Sequence, residues 1–264
     1  MLSLVFERAG TGSPLVLIHG LGHRRQGWDA VLELLTPHRD VITLDLPGHG
    51  ESPPLQADGK NAISVMADEV AELISSLGLT RPHVAGNSLG GGLALMLASR
   101  GLVASATVLS PAGFPNHGYQ VVYARGFFST ALLTGKVMRP AVPFLARHAA
   151  GRAALFGLVV AKPGRLSAAQ VIGDMDGMAR ASQAVHAVFA SFEPFTSGIP
   201  DDIPVTIAWG AKDKILSPAN ARVARSRVPA ARFLSLDGCG HVPMTDDPGQ
   251  VAKVLLDGSS AQVQ

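Results

Sequence analysis

Cysteine and charge are both scarce in this sequence of 264 residues. Cys239 is its single cysteine, which excludes an intrachain disulfide and any cysteine-rich metal site. Charged residues make up 16% of the chain and the net charge is +2, so charge gives no reason to expect a nucleic-acid partner. One thiol without a partner fits a reducing compartment, although a secreted protein without disulfides would have the same cysteine content. Of the two, we expect a cytoplasmic protein.

Long uninterrupted apolar runs are also missing. Residues 82–99 contain four glycines, and residues 101–124 are broken by Pro111 and Pro115. Neither run has the character of a membrane-spanning helix, so we expect no membrane partner. The HExxH, Walker A and GxGxxG motifs are absent from the sequence as well. We therefore expect no metal, nucleotide or other cofactor.

What the sequence does contain is a regular alternation of short apolar runs with helical patterns. Strands are predicted at residues 14–19, 40–44, 82–85, 105–109, 203–209 and 232–236. Helices are predicted at residues 28–35, 63–77, 89–99, 219–227 and 248–256. Strands that alternate with crossover helices predict an α/β fold built on a mostly parallel, doubly wound sheet.

The alternation stops between residues 114 and 200, where helical patterns punctuated by glycine and proline take over. We therefore predict a core formed by residues 1–113 and 201–264, interrupted by a helical cap, or lid, at residues 114–200. Ten of the fourteen aromatic residues lie in this segment. That concentration favours an apolar pocket between the segment and the core.

A candidate nucleophile lies in the segment GNSLGG, residues 86–91, between a predicted strand and a predicted helix. Small residues around Ser88 allow the strained turn of a nucleophile elbow, although a plain glycine loop would also tolerate a serine. A serine hydroxyl needs a base, and the base needs an acid to orient it. His241 follows the last predicted strand and Asp213 follows the strand before it, so the order Ser88, Asp213, His241 is that of a hydrolase triad.

Other acidic residues near these strand ends could compete for the same role. Asp237 is the rival of Asp213, but it leaves the same strand that leads to His241, so Asp213 is the better candidate for the acid. Asp246 and Asp247 precede the last predicted helix, and we expect them to cap it.

In order and spacing these motifs resemble the α/β-hydrolase superfamily, in its lid-bearing serine esterase and lipase-like branch. Two more segments carry the resemblance: HGLGH at residues 19–23 is similar to the oxyanion-loop motif, and DLPGHGES at residues 45–52 is similar to the segment after the next strand. The resemblance implies the α/β-hydrolase fold and an oxyanion hole made by the backbone N–H groups of Leu21 and Leu89. It also implies structural, loop-bracing roles for His19 and His49.

The expected activity is that of a serine hydrolase that cleaves a small to medium, largely apolar carboxylic ester through an acyl-enzyme. The candidates for the substrate pocket are His23, Phe127, Phe128 and Phe192. The expected partner is a small-molecule ester, and the oligomeric state is left open.

Two alternatives to ester hydrolysis stay open. GNSLGG, with Asn87, also resembles the elbow of carbon–carbon bond hydrolases that cleave ring-fission dienoates. Residues 242–244, after His241, lack the tryptophan typical of that family. The alternative from another class is a ligand-binding protein that keeps the fold without catalysis.

Overall fold

Seven strands form one sheet in the computed structural model, which describes residues 4–260. The ends of the predicted core, residues 1–3 and 261–264, lie outside the described residues. The strands are β1 (Phe6–Gly10), β2 (Ser13–Ile18), β3 (Arg39–Leu44), β4 (His83–Asn87), β5 (Ser105–Leu109), β6 (Val205–Gly210) and β7 (Arg232–Leu236). Their order across the sheet is β1-β3-β2-β4-β5-β6-β7. Only the β1–β3 pair among these neighbours is antiparallel, so the predicted mostly parallel sheet is confirmed.

Helices connect the strands and cover the sheet. The helices are α1 (Asp29–Leu35), α2 (Ala62–Ser76), α3 (Leu89–Ser99), α4 (Gly118–Met138), α5 (Val142–Arg147), α6 (Ala149–Phe156), α7 (Ala168–Arg180), α8 (Ser182–Ala190), α9 (Ala221–Arg227), α10 (Pro243–Asp246) and α11 (Pro248–Gly258). Short 3₁₀ turns occupy Arg25–Trp28, Pro163–Arg165 and Pro218–Asn220.

Both faces of the sheet are buried, as β2 illustrates. Leu15 and Leu17 belong to one apolar cluster and Val16 and Ile18 to another, because successive side chains of a strand point to opposite faces. The buried side chains of α2 and α3 join the second of these clusters, and those of α1 and α11 join the first. Helices therefore cover both faces, which is the doubly wound arrangement.

The segment of residues 114–200 holds α4 to α8, between β5 and β6 in the chain. Its two ends meet: the Phe195 N–H donates a hydrogen bond to the Gly113 carbonyl at 2.9 Å, and the rings of Phe114 and Phe195 lie 5.7 Å apart. The helices thus leave and rejoin the core at one place. The role of this segment as a lid stays a prediction.

Two elements of the structure are not predicted by the sequence patterns. The first, β1, is an edge strand whose burial is slight, so it has no apolar alternation to detect. The second, α10, is only four residues long and begins with Pro243, whose missing N–H costs nothing at a helix start.

Candidate active site

Ser88 occupies a strained turn between β4 and α3. Its φ is 56° and its ψ is −116°, a conformation that residues other than glycine rarely adopt. The turn closes only because its neighbours lack side chains. A Cβ on Gly86 would overlap the backbone of Gly90, and a Cβ on Gly90 would overlap the carbonyl of Ile18. The local structure is therefore that of a nucleophile elbow, with the Ser88 side chain at the carboxyl end of a central strand.

The structure brings Asp213 and His241 together. The Nδ1 of His241 lies 2.8 Å from Oδ2 of Asp213, and both side chains are buried. The other carboxylate oxygen, Oδ1, accepts hydrogen bonds from the backbone N–H groups of Ile215 and Leu216 at 2.8 and 2.9 Å. The carboxylate of Asp213 is thus held by three donors in a position to fix the orientation of the imidazole.

Asp237 is placed differently. It is exposed, and its carboxylate accepts a hydrogen bond from the Ser235 hydroxyl at 3.3 Å. Of the two acidic residues weighed from the sequence, the one in contact with His241 is Asp213.

Two cavities meet at Ser88. We call them the Phe195 cavity, of about 220 Å³, and the His241 cavity, of about 240 Å³. The residues that line both are Leu21, Ser88, Phe128 and Ile215. His241 lines the cavity named after it together with Ser88, so the candidate base and the candidate nucleophile line the same space. Asp213 engages Nδ1 of His241, which leaves Nε2 to exchange a proton with a reacting group.

The two residues predicted to form the oxyanion hole flank this junction. Leu21 lies in the turn after β2 and lines both cavities, whereas Leu89 lines the Phe195 cavity. Leu89 is the first residue of α3, so its N–H has no acceptor within that helix. The positive end of the helix dipole lies at the same place and favours negative charge there.

The predicted pocket residues are divided between the two cavities. His23 and Phe127 line the His241 cavity, Phe192 lines the Phe195 cavity, and Phe128 lines both.

His19 and His49 brace the loops behind the site. Both are fully buried. The Nδ1–H of His19 donates to the Gly20 carbonyl at 2.7 Å, and its Nε2 accepts from the Leu46 N–H at 3.0 Å. His49 donates from Nδ1 to the Pro47 carbonyl at 3.0 Å. Burial lowers the pKa of His19 well below its ordinary value and that of His49 to about 4, so both rings are neutral at pH 7.

Two residues that support His241 were not identified as such from the sequence. Asn87 donates from its side-chain amide to the carbonyls of Leu109 and His241, at 3.0 and 2.9 Å. It therefore ties the end of β4 directly to the loop that carries His241. The sequence indicates Asn87 only as a feature of the elbow motif, because its hydrogen-bond partners lie 22 and 154 residues away in the chain.

Asp246 is the other residue with an unexpected position. The expectation that it caps the last helix is wrong, because it is fully buried and accepts hydrogen bonds from the N–H groups of Gly240, Ala161 and Lys162. It joins the 114–200 segment to the loop before His241. The expected cap at Asp247 is confirmed, since its Oδ1 accepts from the Gln250 N–H at 2.9 Å.

Cys239 is unsuited to act as a nucleophile. Its side chain is fully buried, and burial, with the nearby charges of Asp246 and Asp247, raises the pKa of the thiol to about 11. The thiol is therefore protonated at neutral pH, and only the thiolate is strongly nucleophilic.

Comparison with known proteins gives consistent matches along nearly the whole chain. The model of the alpha/beta hydrolase family matches residues 15–254. An uncharacterized protein of Mycobacterium tuberculosis is 28% identical over 261 residues, which cover 95% of this chain and 76% of that protein. Lipase 1 of Psychrobacter immobilis is 27% identical over 250 residues, which cover 89% of this chain and 73% of the lipase.

Solved structures show the same likeness. The structure of a membrane phospholipase A, described as a bacterial virulence factor, is 26% identical in sequence and superposes with a TM-score of 0.75. The match covers 97% of this chain and 83% of that one. The three candidate catalytic residues lie within the range that the family model matches.

Proposed function

The chain belongs to the alpha/beta hydrolase family and is a hydrolase, and on this premise we propose that it is a serine esterase that cleaves small to medium, largely apolar carboxylic esters. The observation that carries the proposal is the strained Ser88, which lines the same cavity as His241. The Nδ1 of His241 is in turn hydrogen-bonded to the buried carboxylate of Asp213. A hydroxyl at such a turn and an imidazole oriented by a buried carboxylate are what acyl transfer through serine requires.

In the proposed reaction the Ser88 hydroxyl attacks the ester carbonyl while His241 takes its proton. The imidazolium that results is stabilised by Asp213 and then gives the proton to the leaving alkoxide. The N–H groups of Leu21 and Leu89 hold the oxyanion of the tetrahedral intermediate. Water then attacks the acyl-enzyme by the same route and releases the acid.

The apolar character of the substrate is supported by the walls of the two cavities. Of the ten aromatic residues in the 114–200 segment, seven line one or both cavities: Phe114, Phe127, Phe128, Phe156, Phe189, Phe192 and Phe195. Cavities of about 220 and 240 Å³ suit a substrate of small to medium size. Each methylene buried there contributes up to ~0.8 kcal/mol, so the 114–200 segment sets the preferred chain length in this proposal.

Carbon–carbon bond hydrolysis receives less support. The motif residue that suggested it, Asn87, donates its amide to two backbone carbonyls and therefore has a structural role in this chain.

The proposal also includes a small-molecule partner, with neither nucleic acid nor membrane as a partner. It includes a cytoplasmic location, which suits a chain with one buried cysteine.

Steady-state turnover of a panel of fluorogenic and alkyl esters, with one ring-fission dienoate included, tests this proposal. We expect turnover of the esters, with kcat/KM rising about three- to fourfold per acyl methylene until the chain outgrows its cavity. Ser88→Ala should abolish turnover, apart from a residual hydrolysis rate roughly 10³-fold above that of the uncatalysed reaction in water. Ser99→Ala, at the other end of α3, should be close to wild type.

Three results would contradict the proposal. Preferential cleavage of the dienoate would replace ester hydrolysis by the carbon–carbon reaction. Stoichiometric binding of esters without turnover would favour a ligand-binding protein. Wild-type turnover by Ser88→Ala would remove Ser88 from the mechanism.

A further inference from the structure

A buried carboxylate from the 114–200 segment lines the cavity that holds the nucleophile and the base. Asp174, on α7, lines the His241 cavity together with His23, Ser88 and His241. Its side chain is only 11% exposed. Its Oδ1 accepts a hydrogen bond from Nε of Arg24 at 3.1 Å. A buried ionisable group in a catalytic cavity is a candidate for a role toward the substrate.

The second oxygen of Asp174 retains capacity to accept a hydrogen bond. Oδ2 lies 3.5 Å from Nε2 of His23, which is longer than an ordinary N–H···O hydrogen bond. A carboxylate oxygen can accept two hydrogen bonds. A donor entering the His241 cavity would therefore find an acceptor on Asp174.

Asp174 is ionised and held in place. Burial raises the pKa of its carboxyl group, but the proximity of His23 and Arg24 outweighs this effect and lowers the pKa below its ordinary value. Two glycines make room for the basic partners of Asp174. A Cβ on Gly173 would overlap the guanidinium of Arg24, and a Cβ on Gly27 would overlap the ring of His23.

The path of the proton in the proposed reaction indicates which part of the ester lies beside Asp174. The leaving alkoxide must receive its proton from His241, so the alcohol part has to lie on the His241 side of Ser88. His241 and Asp174 both line the His241 cavity, and neither lines the Phe195 cavity. With the alcohol part on the His241 side, the Phe195 cavity is the one left for the acyl part. Asp174 therefore faces the alcohol that leaves.

We propose that Asp174, held by Arg24 and flanked by His23, selects esters whose alcohol carries a second hydroxyl group. This inference rests on the proposed esterase function. The alcohol occupies the apolar His241 cavity, and its free hydroxyl donates a hydrogen bond to Asp174. The class of substrate is thus a monoester of a diol or polyol rather than of a simple alkanol.

A neutral hydroxyl fits this site better than a cation does. Arg24 already balances the charge of Asp174 at 3.1 Å, so a second positive charge would be repelled by the guanidinium as well as attracted by the carboxylate. A hydroxyl donates a hydrogen bond without adding charge to the cavity.

The test compares butanoate esters of ω-hydroxyalkyl alcohols, two to five carbons long, with n-alkyl esters in which a methyl group replaces the hydroxyl. The hydroxyl preference is the kcat/KM of the hydroxyalkyl ester divided by that of its alkyl match. Because hydrogen bonds to charged groups are strong, we expect a wild-type preference on the order of tenfold at the best chain length. A tertiary-ammonium alkyl ester tests a cationic donor, and p-nitrophenyl acetate reports basal activity.

Two variants remove the proposed interaction in different ways. Asp174→Asn keeps the shape of the side chain and removes the charge, and the hydroxyl preference should fall several-fold. The double variant Arg24→Met with Asp174→Leu removes the ion pair without leaving a buried charge unpaired, and the preference should fall to one or below. The matched control is Asp176→Asn, since Asp176 lies on the same helix, has a side chain that is 45% exposed and pairs with Arg139 at 3.7 Å. This variant should keep the wild-type preference.

A wild-type hydroxyl preference of one or less across the series would overturn the proposal. So would Asp174 variants in which kcat/KM falls equally for the hydroxyalkyl ester and its alkyl match, because that result would show that the ion pair is purely structural. A stronger preference for the ammonium ester would overturn the assignment of a neutral hydroxyl. Turnover of p-nitrophenyl acetate separates these outcomes from failure of the esterase function, because without any turnover both proposals fall together.

Discussion

At the scale of single residues, Asp213 and Asp237 show how position separates two chemically identical groups. Asp213 follows β6 and reaches His241 across the sheet edge, whereas Asp237 follows β7 and points into solvent. The contact of Asp213 with Nδ1 requires that nitrogen to carry a proton, so Nε2 is the basic nitrogen that the proposed reaction uses.

Substitution of Asp213 by Asn should therefore lower kcat for esters by roughly 10⁴-fold, since the amide can donate to Nδ1 and stabilise the wrong tautomer. Unfolding measured by circular dichroism should show that the fold persists. Asp237→Asn is the matched control and should stay within about twofold of wild type, a change worth less than ~0.5 kcal/mol. If Asp237→Asn were the more damaging change, the acid would have to be reassigned to Asp237.

At the scale of elements, the elbow between β4 and α3 depends on close backbone contact. Gly90 is the second residue of α3, and its α-carbon packs against the carbonyls of Ile18 and His19 at the end of β2. Neither carbonyl can move without disturbing the strand. By contrast, Gly126 lies in the middle of α4, where an added Cβ would have open space around it.

Gly90→Ala should accordingly destabilise the protein by at least ~1–3 kcal/mol, the usual range for overpacking. Gly126→Ala should raise the free energy of unfolding by up to ~1 kcal/mol, because alanine loses less entropy than glycine in a helix. Urea unfolding of both variants measures the difference. Equal stability of the two would contradict the close packing inferred for the elbow.

At the scale of the whole molecule, the buried histidines link folding to pH. The pKa of His49 is lowered to about 4 by burial, while a histidine in the unfolded chain titrates near ~6.5. The unfolded state therefore binds more protons between these two values. The stability due to neutral His49 is complete above about pH 6.5 and is lost as the pH falls toward 4, by ~3 kcal/mol in all. His19 acts in the same direction.

His49→Asn should flatten this dependence. The asparagine amide can still donate to the Pro47 carbonyl, but it takes up no proton, so the free energy of unfolding should fall less steeply between about pH 6.5 and 4. The measurement is urea unfolding at several pH values. His38→Asn, at an exposed histidine, is the control and should keep the wild-type slope. A slope unchanged by His49→Asn would mean that other groups carry the acid sensitivity.

Much of the fold follows from local sequence patterns. The strand at residues 105–109, the strand at 232–236 and the helix at 89–99 were predicted with the bounds that the structure has. These elements are set by apolar periodicity and by the glycines around Ser88, which act over a few residues. The chain order of Ser88, Asp213 and His241 is likewise a property of the sequence.

Only the tertiary structure decided the contacts between distant parts of the chain. Asn87 meets the His241 carbonyl across 154 residues, and Arg24 meets Asp174 across 150. The edge strand β1 exists because β3 offers it backbone partners, and Asp246 is buried because the 114–200 segment returns to the loop of His241. Such contacts depend on how the strands and helices pack against one another, so a local sequence pattern does not predict them. The sequence determined the catalytic candidates, and the packing of the segment on the core decided which side chains line the two cavities beside Ser88.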